Sequence, residues 1–466
     1  MTQDTIVALS TPPGQGAIGV IRLSGANAIS LVDGIFKGKN LEKVEANTVH
    51  YGKIVDEETS KIIDECVATI FKGPRSYTKE DVVEISCHGS PYIIKEIIQL
   101  CLKKGARMAN RGEFTLRAFL NGQLDLSQAE AVADLIASEN ETSHALAMSQ
   151  MRGGFSSEIS ALRQELIDFA ALIELELDFG EEDVEFADRE KLEHLVQKIQ
   201  GVIKKLLDSF QLGNVLKKGV STVIAGRPNA GKSTLLNALL NEERAIVSDI
   251  AGTTRDTIEE GLNINGVPFR LIDTAGIRKA QDAIEKIGVE RTIEKIGEST
   301  LVIYLFDVTE SRPSDLWEDV DNFLEGSKAL TAKSSRLFVA NKMDLYPNLS
   351  LEEYYKEGLI EKDNLISISA IHKMNVPFLK EKLYEAVIND PTLMDQTIVT
   401  NARHYDALHK SYEALDKVTY GLNGGITGDF IAMDIRAALH ELGLITGEIH
   451  TDDLLDSIFT RFCIGK

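Results

Sequence analysis

The feature that most constrains this chain is the run Val223-Ile-Ala-Gly226-Arg-Pro-Asn-Ala-Gly231-Lys232-Ser233-Thr234, which passes into the leucine-rich stretch Leu235–Leu240. An apolar strand that enters G-x-x-x-x-G-K-S and leaves as a helix reads as a phosphate-binding loop. Its glycines let backbone N–H groups turn inward around phosphate oxygens, Lys232 reaches the terminal phosphates, and the Ser233 hydroxyl can ligate Mg²⁺.

Apolar strands recur at Ser221–Ala225, Val267–Ile272, Thr300–Phe306, Arg336–Ala340 and Leu365–Ile368, separated by helical stretches. That alternation predicts a doubly wound, mostly parallel sheet. Asp273-Thr274-Ala275-Gly276 follows a strand, as a D-x-x-G turn should if it is to hold Mg²⁺ through water and meet a γ-phosphate with its glycine N–H. Asn341-Lys342-Met-Asp344 has the form of an N-K-x-D guanine reader, whose aspartate accepts from N1–H and the 2-amino group. Adenine lacks that pair of donors, so GTP is the expected ligand. Ser369-Ala370 stands where backbone amides would back the base. Gly252-Thr253-Thr254-Arg255-Asp256 fills the first switch, with Thr254 the second hydroxyl for Mg²⁺. The expected nucleotide site therefore comprises Asn229 to Thr234, Ser248, Asp249, Ile250, Ala251, Gly252 to Thr254, Asp273 to Gly276, Asn341, Lys342, Asp344, Ser369 and Ala370, with Ala230, Gly231 and Lys232 inside the loop.

The position after D-x-x-G, where Ras-like enzymes carry a water-orienting glutamine, is Ile277, which can neither accept a proton nor align water. The replacement expected is Glu285, at the head of Glu285-Lys-Ile-Gly288. No arginine finger can be assigned from the sequence. Asn229, with Ser248-Asp249-Ile250 ahead of Gly252, suggests instead a monovalent-cation site in which potassium replaces the finger.

At 466 residues the length allows roughly three domains of about 150 residues. The segment from Thr5 reads as two β-rich runs around a Pro-Pro-Gly turn, followed by strands at Cys66–Phe71 and Asp81–Ser86 and a helix over Tyr92–Lys104. From Leu124 the pattern turns helical, with Leu162, Leu166, Phe169, Ile173 and Leu177 on one stripe. The acidic cluster from Glu174 to Glu185 reads as a solvated face rather than a metal site. After Pro391, Ile435, Ala438, Leu439 and Leu442 mark a helix ending at Gly443, and Thr451 precedes a last helix. These helices are expected to complete the earlier bundle, the nucleotide domain being inserted between its halves. The expected divisions are 1–122, 123–217, 218–385 and 386–466.

The formal net charge of −22 argues against coating nucleic acid by electrostatics alone, so any RNA contact must be local. No apolar run approaches the roughly 20 residues of a membrane span, and Met1-Thr-Gln-Asp-Thr lacks signal-peptide character, so a cytoplasmic protein with no membrane contact is expected. Cys66, Cys87, Cys101 and Cys463 show neither C-x-x-C pairing nor zinc spacing.

With these residues in hand the whole chain resembles the bacterial tRNA-modification GTPases of the MnmE (TrmE) family. Outside the nucleotide domain the resemblance rests on Thr11-Pro-Pro-Gly14, Arg22-Leu-Ser-Gly25, Ser76-Tyr-Thr-Lys-Glu-Asp-Val-Val-Glu84, Cys87-His-Gly89, Gly112-Glu-Phe-Thr-Leu-Arg-Ala-Phe-Leu-Asn121, Asp125-Leu-Ser-Gln-Ala-Glu-Ala131 and Cys463-Ile-Gly-Lys466. It implies an N-terminal α/β folate-binding and dimerising domain, a discontinuous helical-bundle domain and an inserted P-loop GTPase domain. It also implies a homodimer whose GTPase domains meet when potassium and nucleotide are bound. With a partner of the MnmG (GidA) type, which carries the FAD, such a protein adds an aminomethyl or carboxymethylaminomethyl group to C5 of the wobble uridine of certain tRNAs. The one-carbon unit would come from a tetrahydrofolate derivative of the 5-formyl or 5,10-methylene type. Carried over by position, Arg22, Glu84 and Lys466 match the folate site, Asn229, Ser248, Ile250 and Thr253 the potassium ligands, and Glu285 the catalytic glutamate. Gln123 stands where a lysine often contacts the folate, and Ser248 where threonine is common. Cys463 sits in a position that invites a nucleophile role, though nothing in the sequence shows an activated thiol. A regulatory or ribosome-assembly GTPase that binds RNA without modifying it is the alternative reading.

Overall fold

The computed structural model describes residues 4–138, 140–178, 189–240, 259–273, 299–326, 335–388, 397–424 and 426–466. The chain forms two compact units. One comprises Met1–Ala137, Ala147–Ile203 and Asp406–Lys466, the other Ser138–Leu146 and Lys204–Tyr405.

The first unit contains a seven-stranded sheet of β1 (Ile6–Leu9), β2 (Ile18–Ser24), β3 (Phe36–Lys37), β4 (Thr48–Asp56), β5 (Lys61–Phe71), β6 (Val82–His88) and β7 (Arg107–Met108). Their order is β3-β4-β5-β6-β2-β1-β7, antiparallel throughout except for the β1–β7 pair. Alternate residues of the central strands, Ile21 and Leu23, Ala68 and Ile70, Val83 and Ile85, are fully buried. That period of two gives the sheet one core face, covered in part by the helix Pro91–Lys103 through Ile94, Ile97, Leu100 and Cys101.

Helices, long and short, make up most of the rest of this unit. On Gly154–Asp178, Leu162, Leu166, Ala170 and Ile173 are buried and Phe169 is half-buried, so the stripe is the expected one turned slightly toward Ala170. The helix carrying Ile435, Ala438 and Leu442 runs over Gly428–Thr446, past the expected stop at Gly443. Gly443 is a packing glycine instead: a Cβ there would fall 2.9 Å from Ile449 Cδ1. The residue that ends the helix is Gly447, at φ +82° in the left-handed region that glycine tolerates. From the acidic cluster, Glu174 pairs with Arg436 at 2.6 Å, whereas Glu181, Glu182, Asp183 and Glu185 lie outside the described residues. Among the described residues no group of three or more His, Cys, Asp or Glu side chains could hold a metal ion, and no helix is long and apolar enough to cross a membrane.

The second unit is built on β8 (Val220–Ala225), β9 (Glu259–Ile264), β10 (Val267–Asp273), β11 (Leu301–Asp307), β12 (Ser335–Asn341) and β13 (Leu365–Ser367), in the order β13-β12-β11-β8-β10-β9. Every pair is parallel except β9–β10. β8 and β11 are buried almost throughout, as strands covered on both faces must be. This mixed α/β architecture, with a doubly wound sheet of P-loop type, is the expected fold class.

Candidate functional site

The phosphate loop leaves the carboxyl end of β8, the edge at which open α/β sheets bind ligands. Gly226 has φ +141°, and a Cβ there would come within 2.0 Å of the Leu305 carbonyl, so only glycine lets the loop turn away beside β11. At Gly231, φ +99°, a Cβ would come within 2.3 Å of Asn341 Nδ2. Asn229 also lies at positive φ, +62°, on the exposed side of the loop. Lys232 Nζ donates to the carbonyls of Gly226 and Arg227, both at 2.9 Å. Ser233 and Thr234 follow in the first turn of the helix Lys232–Leu240.

Asn341, at the end of β12, ties three motifs together. Its Nδ2 donates to the carbonyl of Ala230 at 2.8 Å, and its Oδ1 accepts from the N–H of Ala370 at 3.0 Å. The phosphate loop, the N-K-x-D turn and the Ser369-Ala370 loop are thus one hydrogen-bonded body. Lys342, at φ +65°, pairs with Asp307 at the end of β11. Burial alone would push the Asp307 carboxyl up, but its hydrogen bonds with Lys342 and Thr309 hold it below the usual aspartate value. Asp344 completes the turn: Oδ2 lies 3.7 Å from His372 Nε2, and Oδ1 is buried without a hydrogen-bond partner among the described residues. A buried acceptor left open at this position suits a base that offers adjacent N–H donors.

Asp273 is the last residue of β10. Ser248, Asp249, Ile250, Ala251, Gly252, Thr253, Thr254, Thr274, Ala275, Gly276, Ile277 and Glu285 lie outside the described residues. Two contributors were not foreseen from sequence. Asp307 carries a readable signal, an acid at the carboxyl end of a central strand. The ion pair between Arg227 and Asp319, with Nη2 donating to Oδ1 at 2.7 Å, carries none, because Asp319 sits on the distant helix Pro313–Gly326.

In the first unit Arg22 and Glu84 are register partners across β2 and β6. The guanidinium donates through Nε to Oε1 at 2.8 Å and lies 5.5 Å and 5.6 Å from the ring centroids of Tyr77 and Phe114. Arg22 Nη1 also donates to the carbonyl of Gly465 at 3.3 Å, and Ser10 Oγ donates to the same oxygen at 3.2 Å. Lys466 O accepts from Phe114 N–H at 3.2 Å, and Arg111 pairs with Ile464. Arg22, Glu84 and the terminal Lys466 are therefore brought together, with Cys463 exposed in the same tail. Gln123 is not joined to them. Its side chain is exposed, its N–H donates to Ala118 O at 2.8 Å, and the adjacent Gly122 carbonyl accepts from Lys79 Nζ at 2.7 Å.

Behind the pair lies an ion network. Arg107 donates to Asp4 at 2.7 Å and Glu113 at 2.6 Å, while the buried Arg117 reaches Asp4 at 2.8 Å, Glu113 at 3.1 Å and Glu80 at 3.2 Å. It fixes the start of the helix Glu113–Leu120 on which Phe114 stands.

Comparison with known proteins gives matches to two family models, "GTP-binding protein TrmE N-terminus" over residues 5–123 and "MnmE helical domain" over residues 126–463. The chain belongs to the MnmE family. The curated MnmE protein of Cytophaga hutchinsonii, a tRNA modification GTPase, is 56% identical over 99% of this chain and 98% of its own length. Those of Flavobacterium johnsoniae and Bacteroides thetaiotaomicron are 54% and 47% identical, each over 100% of both chains. As an MnmE-family chain it is a GTP hydrolase of tRNA modification. A solved GTP-binding protein from Sulfolobus solfataricus in complex with GDP is 21% identical, with 49% of this chain and 67% of its own covered and a TM-score of 0.29.

Proposed function

We propose that this chain is a cytoplasmic, potassium-activated GTPase that works with an FAD-carrying partner of the MnmG type to add an aminomethyl or carboxymethylaminomethyl group to C5 of the wobble uridine in certain tRNAs. The observation that carries this reading is the presence in one chain of two built sites. A guanine-reading loop is stapled to the phosphate loop by Asn341, and a guanidinium–carboxylate pair is closed by the chain's own C-terminal tail.

In the nucleotide site, Asp344 selects guanine by accepting from N1–H and the 2-amino group, and Lys232 steadies the terminal phosphates. Ser233 and Thr254 would hold Mg²⁺, which supplies charge neutralisation between the β- and γ-phosphates. Asn229, Ser248, Ile250 and Thr253 are the proposed potassium ligands, potassium replacing an arginine finger, and Glu285 orients the attacking water. In the first unit, Arg22 and Lys466 bind the anionic and carbonyl oxygens of a tetrahydrofolate derivative while Glu84 accepts from its amino groups. Gln123 brings no charge to that site, which makes folate binding weaker than a lysine would. The divisions at 122, 217 and 385, and a homodimer, complete the proposal.

Nucleoside analysis of tRNA from a deletion strain tests the whole reading: the wobble uridine modification should vanish, and unchanged wobble uridines would refute it. GTP turnover compared in potassium and sodium buffers of equal ionic strength tests the cation. Equal rates would remove potassium from the mechanism.

A further inference from the structure

β9 begins three residues after the Gly252–Asp256 segment, and β10 ends at Asp273, the first residue of the D-x-x-G turn. The two strands are antiparallel neighbours in continuous register, from Val267 opposite Ile264 to Ile272 opposite Glu259. One end of this hairpin therefore adjoins both segments read as γ-phosphate contacts. The other end is the turn Asn265-Gly266, with φ +50° and +85°, a two-residue form whose twist matches that of the strands it joins.

That turn is held. Gly266 N–H donates to Asn263 Oδ1 at 2.8 Å, and the Gly266 carbonyl accepts from Thr142 Oγ1 at 2.5 Å. Thr142 lies in the first turn of the helix Glu141–Met151, whose start is fixed by Asn140: its Oδ1 accepts from Ser143 N–H at 2.8 Å. Leu146, four residues on and so on the same helical face, packs against the GTPase core, which includes Leu262, Ile264, Val267 and Phe269 of the hairpin. The first turns of the helix are thus held to the hairpin and its core by a polar contact, Thr142 to Gly266, and an apolar one, Leu146, while the carbonyl of the last residue, Met151, accepts from Gln128 Nε2 at 3.1 Å. Residues up to Leu146 cluster with the GTPase unit, and from Ala147 onward the same helix belongs to the other unit.

We infer that the Thr142–Gly266 hydrogen bond is a coupling joint, through which the hairpin passes the nucleotide state to the helix Glu141–Met151, with Thr142 as its positioning residue. A ligand shifts a conformation only through contacts that differ between two states. Contacts to a γ-phosphate at the end of β10 differ between GTP and GDP, and a continuous antiparallel ladder is a stiff element to carry the difference to its turn. A helix anchored at its first turn then follows the turn. The inference rests on the GTPase reading above.

The test is hydrogen exchange in the full-length protein, loaded with GDP or with a non-hydrolysable GTP analogue, read over residues 141–151. The wild type should show different protection in the two states. Thr142→Val should lose that difference while GTP turnover stays within about two-fold, since one part-buried hydrogen bond outside the nucleotide site is removed. Thr142→Ser, which keeps the hydroxyl, should restore it. Gly266→Ala, whose Cβ would fall 2.6 Å from Thr142 Oγ1, disturbs the joint from the other side and should give the same loss. A full nucleotide-dependent difference in Thr142→Val, or none in the wild type, overturns the inference. Failure of the wild type to bind GTP would instead sink the GTPase reading beneath it.

Discussion

Arg22 and Glu84 face each other directly across β2 and β6, and the same guanidinium donates to the carbonyl of Gly465, 443 residues further along the chain. The end of the chain is therefore part of the pair's environment. Arg22→Ala frees Glu84 and the tail at once. It should weaken 5-formyl-tetrahydrofolate binding, measured by titration calorimetry, by at least about ten-fold, the loss of one charge-assisted hydrogen bond. The side chains are only 17% and 27% exposed, so leaving Glu84 without its donor should also cost stability, on the order of 1–3 kcal/mol. Unchanged folate binding would separate the pair from that ligand.

Asn341→Ala should be more damaging than its single position suggests. It strands the buried carbonyl of Ala230 and the buried N–H of Ala370, at a cost of about 2 kcal/mol. Because both groups belong to nucleotide loops, guanine nucleotide affinity should fall by about thirty-fold or more, the same energy expressed as a binding constant. Titration with fluorescent GDP reads this directly. Affinity within two-fold of wild type would mean the three loops hold their places without Asn341.

The thiols should divide sharply. Burial pushes Cys66 up to about 12, with the nearby Asp64 adding to it, and pushes Cys87 to about 11 and Cys101 to about 12. Cys463 is exposed. A native-state titration with an aromatic disulfide reagent at pH 8 should modify one thiol per chain, lost in Cys463→Ser, and denaturant should release three more.

Much of the fold was legible because its signals are local. The apolar strands, the glycine spacing of the phosphate loop and the guanine reader are each written within a few consecutive residues. Arg22 and Glu84 were legible as site residues only through family resemblance, since nothing local distinguishes either from a surface charge. Their convergence with Lys466 depends on strand register and on where a tail returns, and no local pattern encodes that. Gly443 misled for a related reason: a glycine after an apolar stripe is a good helix stop unless a neighbour, here Ile449, needs the space. The strand Glu259–Ile264 and its Asn265-Gly266 turn were not foreseen, although Asn-Gly between two apolar runs is a hairpin signal, and the turn's partner Thr142 lies 124 residues earlier and follows from no pattern.

The network behind Phe114 predicts an acid limit to stability. The Asp4 carboxyl is held below its ordinary 3.8 chiefly by its hydrogen bond from Arg107. Burial alone would raise Glu113, but Arg107, the Asn110 N–H and Arg117 hold it below its ordinary 4.5. A carboxyl lowered in the folded state stabilises fully above its unfolded value and loses that stability as pH falls through its folded one. Unfolding midpoints should therefore be flat with respect to these groups above about pH 5 and drop below 4.5. Glu113→Gln should flatten that drop while lowering the plateau.

Gly465 offers the cleanest test of whether the tail's placement matters rather than its composition. It has φ +94°, and an added Cβ would fall 2.2 Å from the Leu9 carbonyl, a backbone atom that cannot swing aside. Gly465→Ala must therefore lift the last residues away from Ser10 and Arg22, while Cys463 and Lys466 keep their chemistry. Strain at this φ costs of order 1 kcal/mol, but at a chain end it is relieved by release, so the thermal midpoint should barely move. Folate binding should fall by about as much as in Arg22→Ala, and the two changes combined should add little beyond either, because both break the same contact. Full additivity of the two losses would show that Arg22 and the tail act on the ligand independently.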